Sequence, residues 1–462
     1  MQARHWASAL LALLALAARS TWADAPEAQA ATGATGTAVS RLAGTGTQTD
    51  GQDEGSAPVA PMSLADCVGY AIGHNPRIVG ARSQVTAAES RIGQARSARR
   101  PHVDAASGYT NSLPQSNDPR NYWTSISLDQ LLSDGGRTSA LVDRARRLHD
   151  VQEQAARGVT LDVAIGTVRS YYSLVEARAL LRVTELTLEL AERHLLVAQG
   201  NYAAGTVARA DVIRAETEVA GVRLDLVRAQ ASERTAVAAL VTAMGMAPGT
   251  PVDVAEPGDS RSPQESPPDL QAAIGMALSR RPECLRAEAD IAAAEAAVRA
   301  AEAGRKPVLS ASGEVGVGDD VFPPRRPTWR VGLTFSVPLS SGGDTRARVQ
   351  EARAEVATLG ADAEEVRQRV ALEVTDAIIA VTEAREAVVA AAEQERLARH
   401  SMEVAMGRYA TGVGNSIEVK DARLAFSEAL SSQVRARSRS ATAVAELSAA
   451  MGLSFWEDET NL

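Results

Sequence analysis

Residues 121–136 read NYWTSISLDQLLSDGG, and residues 328–343 read TWRVGLTFSVPLSSGG. In the second stretch Trp329, Val331, Leu333, Phe335, Val337 and Leu339 alternate with Arg330, Gly332, Thr334, Ser336 and Pro338. That period of two predicts a strand with one apolar and one polar face. The first stretch carries the pattern less cleanly: at an offset of 207, Tyr122 falls on Trp329, Ile126 on Leu333 and Leu128 on Phe335. Each stretch closes on a double glycine, Gly135-Gly136 or Gly342-Gly343, and the period then changes to that of a helix.

The correspondence extends in both directions. Upstream, Asn75-Pro76 matches Arg281-Pro282 and Pro101 matches Pro307, at an offset of 206. Downstream, Tyr202-Ala203-Ala204-Gly205 matches Tyr409-Ala410-Thr411-Gly412, and Met244-Gly245 matches Met451-Gly452, at 207. Such register marks an internal duplication. Its single slip falls between the first and second strand of each half. The expected first strands are about 103–110 and 309–317, and the second strands about 122–132 and 328–339. The loops between them carry Asn, Pro, Asp and Gly.

Before each strand pair the pattern predicts one helix, Leu64 to Arg99 or Leu270 to Gly304. After it comes a long helix, about 138–202 and 345–409. In the first, Leu161, Ile165, Val168, Tyr172, Val175, Ala179, Val183, Leu186 and Leu190 step by three and four, a coiled-coil-like seam. About 65 residues at 1.5 Å each span roughly 100 Å. Gly205 and Gly412 interrupt it, and shorter helices return from Ala210 to Met244 and from Ser416 to Met451. The organisation expected is a signal peptide at 1–23, a disordered leader at 24–62, a first repeat at 63–246, a Pro-rich linker at 247–269, a second repeat at 270–453 and a tail at 454–462. The signal reading rests on Arg4 and His5 before the apolar run Ala7–Ala18, too short to span a bilayer. Its removal takes Arg4 and Arg19 away and changes the net charge from −9 to −11.

Composition narrows the function. The chain has 462 residues, 3% of them aromatic, and only two lysines, Lys306 and Lys420. An acidic, Lys-poor protein is a poor partner for nucleic acid. A P-loop needs Gly-Lys followed by Ser or Thr, and His-Glu-x-x-His is missing, so the residues imply no catalysis, no cofactor and no metal. Gly313, Gly316 and Gly318 lie in a strand and its loop, not in a dinucleotide turn. Cys67 and Cys284 occupy non-equivalent repeat positions and are expected as buried free thiols, although pairing is chemically open.

Beyond the signal no stretch approaches the ~20 apolar residues of a membrane helix, so any membrane crossing must use strands. Four strands cannot close a barrel, for which about eight is the practical minimum. Three copies supply twelve. Trp123 and Trp329 lie in these strands and are expected as aromatic anchors at the membrane interface.

In this order of elements, in the Gly-Gly after each second strand and in the Tyr-x-x-Gly turns, residues 63–453 resemble the TolC family of outer-membrane factors. Within it the chain is most similar to the outer-membrane components of type I systems that export an adenylate cyclase–haemolysin toxin. The resemblance implies a mainly α fold: a homotrimer with a membrane β-barrel of twelve strands, continued by a long helical tunnel in the periplasm. Its implied partners are a periplasmic membrane-fusion adaptor, an inner-membrane ABC transporter, the exported toxin and the lipid bilayer. A drug-efflux duct is the alternative within the family; a periplasmic adaptor or a structural coiled coil is the alternative outside it. By the same resemblance the adaptor-contacting tips fall on Gly205-Thr206-Val207 and Gly412-Val413-Gly414. The acidic channel constriction falls on Glu418 and Asp421, and the gate latch on Tyr409 and Asp211. Gly414 stands where some relatives carry a basic latch residue.

Overall fold

The computed structural model describes residues 61–111, 120–255 and 268–453. The signal and leader, the tail and parts of one hairpin loop and of the linker lie outside these residues.

The duplication is literal in three dimensions. Helices α1 (Leu64–His74) and α2 (Pro76–Ser97) lead to strands β1 (His102–Asn111) and β2 (Arg120–Ser133), long helix α3 (Arg137–Ala203) and returning helix α4 (Arg209–Met244). The second half repeats them as α5 (Leu270–Arg280), α6 (Pro282–Glu302), β3 (Val308–Asp319), β4 (Arg326–Ser336), α7 (Asp344–Ala410) and α8 (Ser416–Ala450). Both long helices contain 67 residues and start and stop at the offset of 207.

The single helix expected before each strand pair is instead two. Asn75 and Arg281 adopt extended ψ values of 126° and 130°, because the proline that follows disfavours helical backbone. Pro76 and Pro282 then open the next helix, where a missing N–H costs nothing. The Asn75 side chain accepts from the Arg77 amide at 2.9 Å and donates to the Ala243 carbonyl at 2.9 Å. Gly245, at φ 78°, packs against this break; a Cβ there would lie 2.9 Å from Asn75 Cα.

Two cores use the same repeat positions. Leu174, Ala177, Ala236, Leu240 and Met244 pack together in the first half, and Val381, Ala384, Ala443, Leu447 and Met451 in the second. Cys67 belongs to one core and Cys284 to the other, and both are free thiols. A third cluster, Val68, Ala164, Val168, Ala445 and Ala449, seats α8 of the second half on α3 of the first. The small residues explain how long helices approach closely with few bulky side chains.

The four strands form one antiparallel sheet in the order β1-β2-β3-β4. His102 pairs with Asp129, and their repeat equivalents Val308 and Ser336 pair with each other. The slip from 206 to 207 is therefore absorbed entirely in the hairpin loop. β4 stops at Ser336, short of the expected residue 339, ahead of Pro338, which has no amide hydrogen for a ladder.

Candidate functional site

The α3–α4 and α7–α8 turns are built alike. Gly205 and Gly412 take φ of 73° and 77°, a left-handed conformation that glycine adopts without strain. The Thr206 amide returns to the Asn201 carbonyl at 3.0 Å, and the Val413 amide to the Arg408 carbonyl at 3.0 Å. Gly205, Thr206, Gly412 and Val413 are exposed, while Val207 and Gly414 are partly covered. Gly414 lies against backbone: a Cβ there would sit 2.8 Å from Tyr409 N and 2.9 Å from Arg408 C. No side chain fits at 414 in this conformation.

Glu418 and Asp421 are exposed on α8. Three residues apart, they share one helix face. Asp211 points elsewhere, bonded to Arg214 on its own helix at 2.9 Å. Tyr409 is buried; burial and then the Asp211 charge push its phenol above the ordinary value. Its ring meets His194 of α3 at 5.2 Å between centroids.

His194 opens onto a charged cluster that the sequence reading missed. Arg423 of α8, 3% exposed, donates to Glu218 of α4 at 2.6 Å and to the Leu190 carbonyl of α3 at 3.2 Å. His194 Nδ1 lies 3.7 Å from the other Glu218 oxygen. Burial pushes the Glu218 carboxyl up, but the adjacent His194 ring and the charges of Arg423 and Lys420 outweigh it and hold the group below the usual carboxylate range. Burial also draws the Arg423 guanidinium down, more than Glu218 raises it, yet it remains a cation at any working pH. Both His194 ring nitrogens, the Tyr409 hydroxyl and Arg423 Nε lack a hydrogen-bond partner among the described residues. The cluster ties three helices from both halves together.

The far end of the molecule is the sheet. Directly paired residues share a face, and Val103, Leu128; Ala105, Ile126, Val315, Trp329; and Ala311, Leu333 form apolar rows across it. Trp329, Val331, Leu333 and Phe335 of β4 are all highly exposed. β1 and β4 are edges with no neighbouring strand among the described residues.

A family model described as outer membrane efflux protein matches residues 68–246 and 273–453. The chain belongs to that family. Protein CyaE of Bordetella pertussis is 27% identical over 303 residues, covering 64% of this chain and 64% of that protein's own length. The probable efflux pump outer membrane protein TtgC of Pseudomonas putida is 25% identical over 328 residues, 70% of this chain and 67% of that one. Among solved structures, the outer-membrane channel OprN superposes with a TM-score of 0.75 at 22% identity, over 86% of this chain and 91% of that one.

An outer membrane efflux protein is a channel component and not an enzyme, with its strands in the outer membrane and its helices in the periplasm. Among the described residues no helix is long and apolar enough to cross a membrane. The apolar rows form one exposed face of the sheet. Trp329 lies on that side, 75% exposed. Trp123 does not: it pairs with Gly108 and Gly318 on the polar face, and its indole covers Gly108. The same alternation that places Tyr122 on the apolar face turns Trp123 to the opposite, polar one. Tyr109 and Tyr122, 4.7 Å apart, with Phe322 5.6 Å from Tyr122, form an aromatic cluster toward the hairpin end of the sheet. The group His149, Asp150 and Glu153 has metal-ligand spacing, but Arg147 and Arg157 already pair its acids at 3.4 and 3.0 Å.

Proposed function

We propose that three copies of this chain close a twelve-stranded barrel and form the outer-membrane duct of a type I secretion system that exports a protein toxin. The observation that carries the duct is the sheet: two unpaired edges flank an exposed apolar face. Unpaired edges are not tolerated in lipid, so strands from other copies must complete the ladder. The similarity to CyaE supports a secreted protein as cargo. In this reading the tips Gly205-Thr206-Val207 and Gly412-Val413-Gly414 meet a periplasmic membrane-fusion adaptor, and an inner-membrane ABC transporter drives export. Glu418 and Asp421 from three copies form an acidic ring. Tyr409 and Asp211 contribute to the closed state. Since Gly414 offers no side chain and Asp211 is held by Arg214, the Glu218–Arg423 pair supplies the main clasp between the two hairpins.

Deleting the gene tests the reading. Loss of a secreted protein from the medium, restored by the intact chain, supports protein export. A drug-efflux duct is the second reading, favoured by TtgC at nearly the same identity. Unchanged secretion with raised drug sensitivity selects it.

A further inference from the structure

Where the helices join the sheet, cations gather that form no ion pair within the described residues. β1 and β3 begin at this end, and β2 and β4 finish at it. Arg99 and Arg100 precede β1, and Arg305 and Lys306 occupy the same place before β3. Arg137 and Arg346 stand in the first turns of α3 and α7. All six are exposed. None lies within ion-pair distance of a carboxylate among the described residues.

They form a connected belt. The Lys306 side chain lies over Gly135, beside Arg137. Arg99 is close enough to Asp134 for its charge to act on that carboxyl. Gly304 touches Thr345, which brings Arg305 toward Arg346, and both line a cavity of about 310 Å³ with Ser340, Ser341 and Leu339. The acids nearby are already committed. Asp134 accepts from the Gly136 amide at 3.1 Å and from the Thr138 amide and hydroxyl at 2.6 and 2.5 Å. Asp344 pairs with Arg348 at 2.8 Å, and Glu302 with Arg353 at 2.9 Å. The other end of the sheet differs, for there Arg326 pairs with Asp319 at 3.4 Å and Arg330 with Glu314 at 3.9 Å.

The belt borders apolar surface. Leu339 is 95% exposed at the cavity and, two positions beyond the 42% exposed Val337, continues the apolar row of β4 that runs to Phe335. Cations beside exposed hydrocarbon match a ligand with an anionic head and an acyl tail. A free anion or an acidic peptide would meet the cations alone and make no use of Leu339.

We infer that this belt is a headgroup site for anionic glycerophospholipids of the periplasmic leaflet, with Arg305, Lys306 and Arg346 taking the phosphate and Leu339 meeting the acyl chain. The site orients the barrel in depth, since each phosphate bound pins the helix–sheet junction at the leaflet surface. It rests on the duct reading, because it needs the apolar face in lipid.

The test uses the full-length purified protein in uncharged detergent, titrated with phosphatidylglycerol or phosphatidylcholine and followed by native mass spectrometry. Phosphatidylglycerol should be retained in preference to phosphatidylcholine, and millimolar inorganic phosphate should not displace it. Arg305→Gln with Lys306→Gln, and separately Arg305→Gln with Arg346→Gln, should each weaken retention by about tenfold or more. Arg326→Gln at the far end should leave it unchanged. Equal retention of both lipids, displacement by phosphate, or full retention in the variants overturns the site. Wild-type protein that inserts into vesicles as a trimer without the lipid preference overturns this inference and leaves the duct standing. Protein that neither trimerises nor inserts overturns both.

Discussion

Glu218 and Arg423 lie 205 residues apart in sequence and 2.6 Å apart in space, with the guanidinium almost wholly out of water. One residue belongs to the first repeat and the other to the second. A buried ion pair gives little net stability over a well-packed apolar pair, but removing one partner strands the other charge. Arg423→Met should therefore destabilise the folded protein by about 3 kcal/mol. The double variant Glu218→Leu with Arg423→Met should recover most of that loss. Melting curves of the purified protein in detergent check both. If the pair also clasps the hairpins, Arg423→Met should raise the single-channel conductance of the reconstituted pore; unchanged conductance would remove it from the gate.

The same pair sets an acid limit. The Glu218 carboxyl titrates below the usual range in the folded protein. A depressed carboxylate contributes stability that is fully present above its unfolded value, about 4.3, and is lost as pH falls through the folded one. The melting temperature should drop below about pH 4.3 in the wild type. In Glu218→Gln this part of the drop should be missing. An identical acid profile in both proteins would show that Glu218 is not the group responsible.

Most of the architecture was written in the sequence because the duplication writes it twice. A strand that reads poorly at Tyr122–Leu132 reads clearly at Trp329–Leu339, and the shared register lends one half's evidence to the other. The clasp escaped for the opposite reason. At the offset of 207, Glu218 corresponds to Ala425 and Arg423 to Glu216, so no repeat signal marks it. Charges on a helix read as a solvated face until another helix covers them. The facing of Trp123 was legible as well: its neighbour Tyr122 lies on the apolar face, and a strand alternates. The breaks at Asn75 and Arg281 were also visible, since the prolines that cause them served as landmarks of the repeat.

Gly414 gives a third prediction. A Cβ there would meet the backbone of Tyr409 and Arg408, so Gly414→Arg cannot simply restore a basic latch residue. The substitution should shift the turn and expose it. Limited proteolysis should cut the variant near residues 411–415 several times faster than the wild type. Slower cutting, with reduced conductance, would mean that the turn adapts and the arginine finds Asp211.

The two tryptophans of the strands give a fourth. Trp329 stands exposed on the apolar face and Trp123 lies over Gly108 on the polar face. In vesicles carrying brominated acyl chains, Trp329→Phe should remove most of the lipid-quenched emission, while Trp123→Phe should remove little. The reverse result would turn the sheet inside out.

The acidic ring gives the last. Glu418 and Asp421 are exposed and make no ion pair among the described residues, unlike Asp211, which is neutralised by Arg214. In the proposed trimer three copies would bring six such carboxylates to one level of the tunnel. Free carboxylates in a narrow passage raise the local concentration of cations and exclude anions, an effect that salt screens over about 8 Å at physiological ionic strength. Glu418→Ala with Asp421→Ala should therefore lower the cation-to-anion permeability ratio, measured as reversal potential across a salt gradient in planar bilayers. The loss should be largest at low salt, where screening is weakest. Asp211→Ala serves as the control, because its charge is already paired, and should change selectivity little. If the double variant keeps the wild-type ratio at low salt, these two residues do not line the constriction.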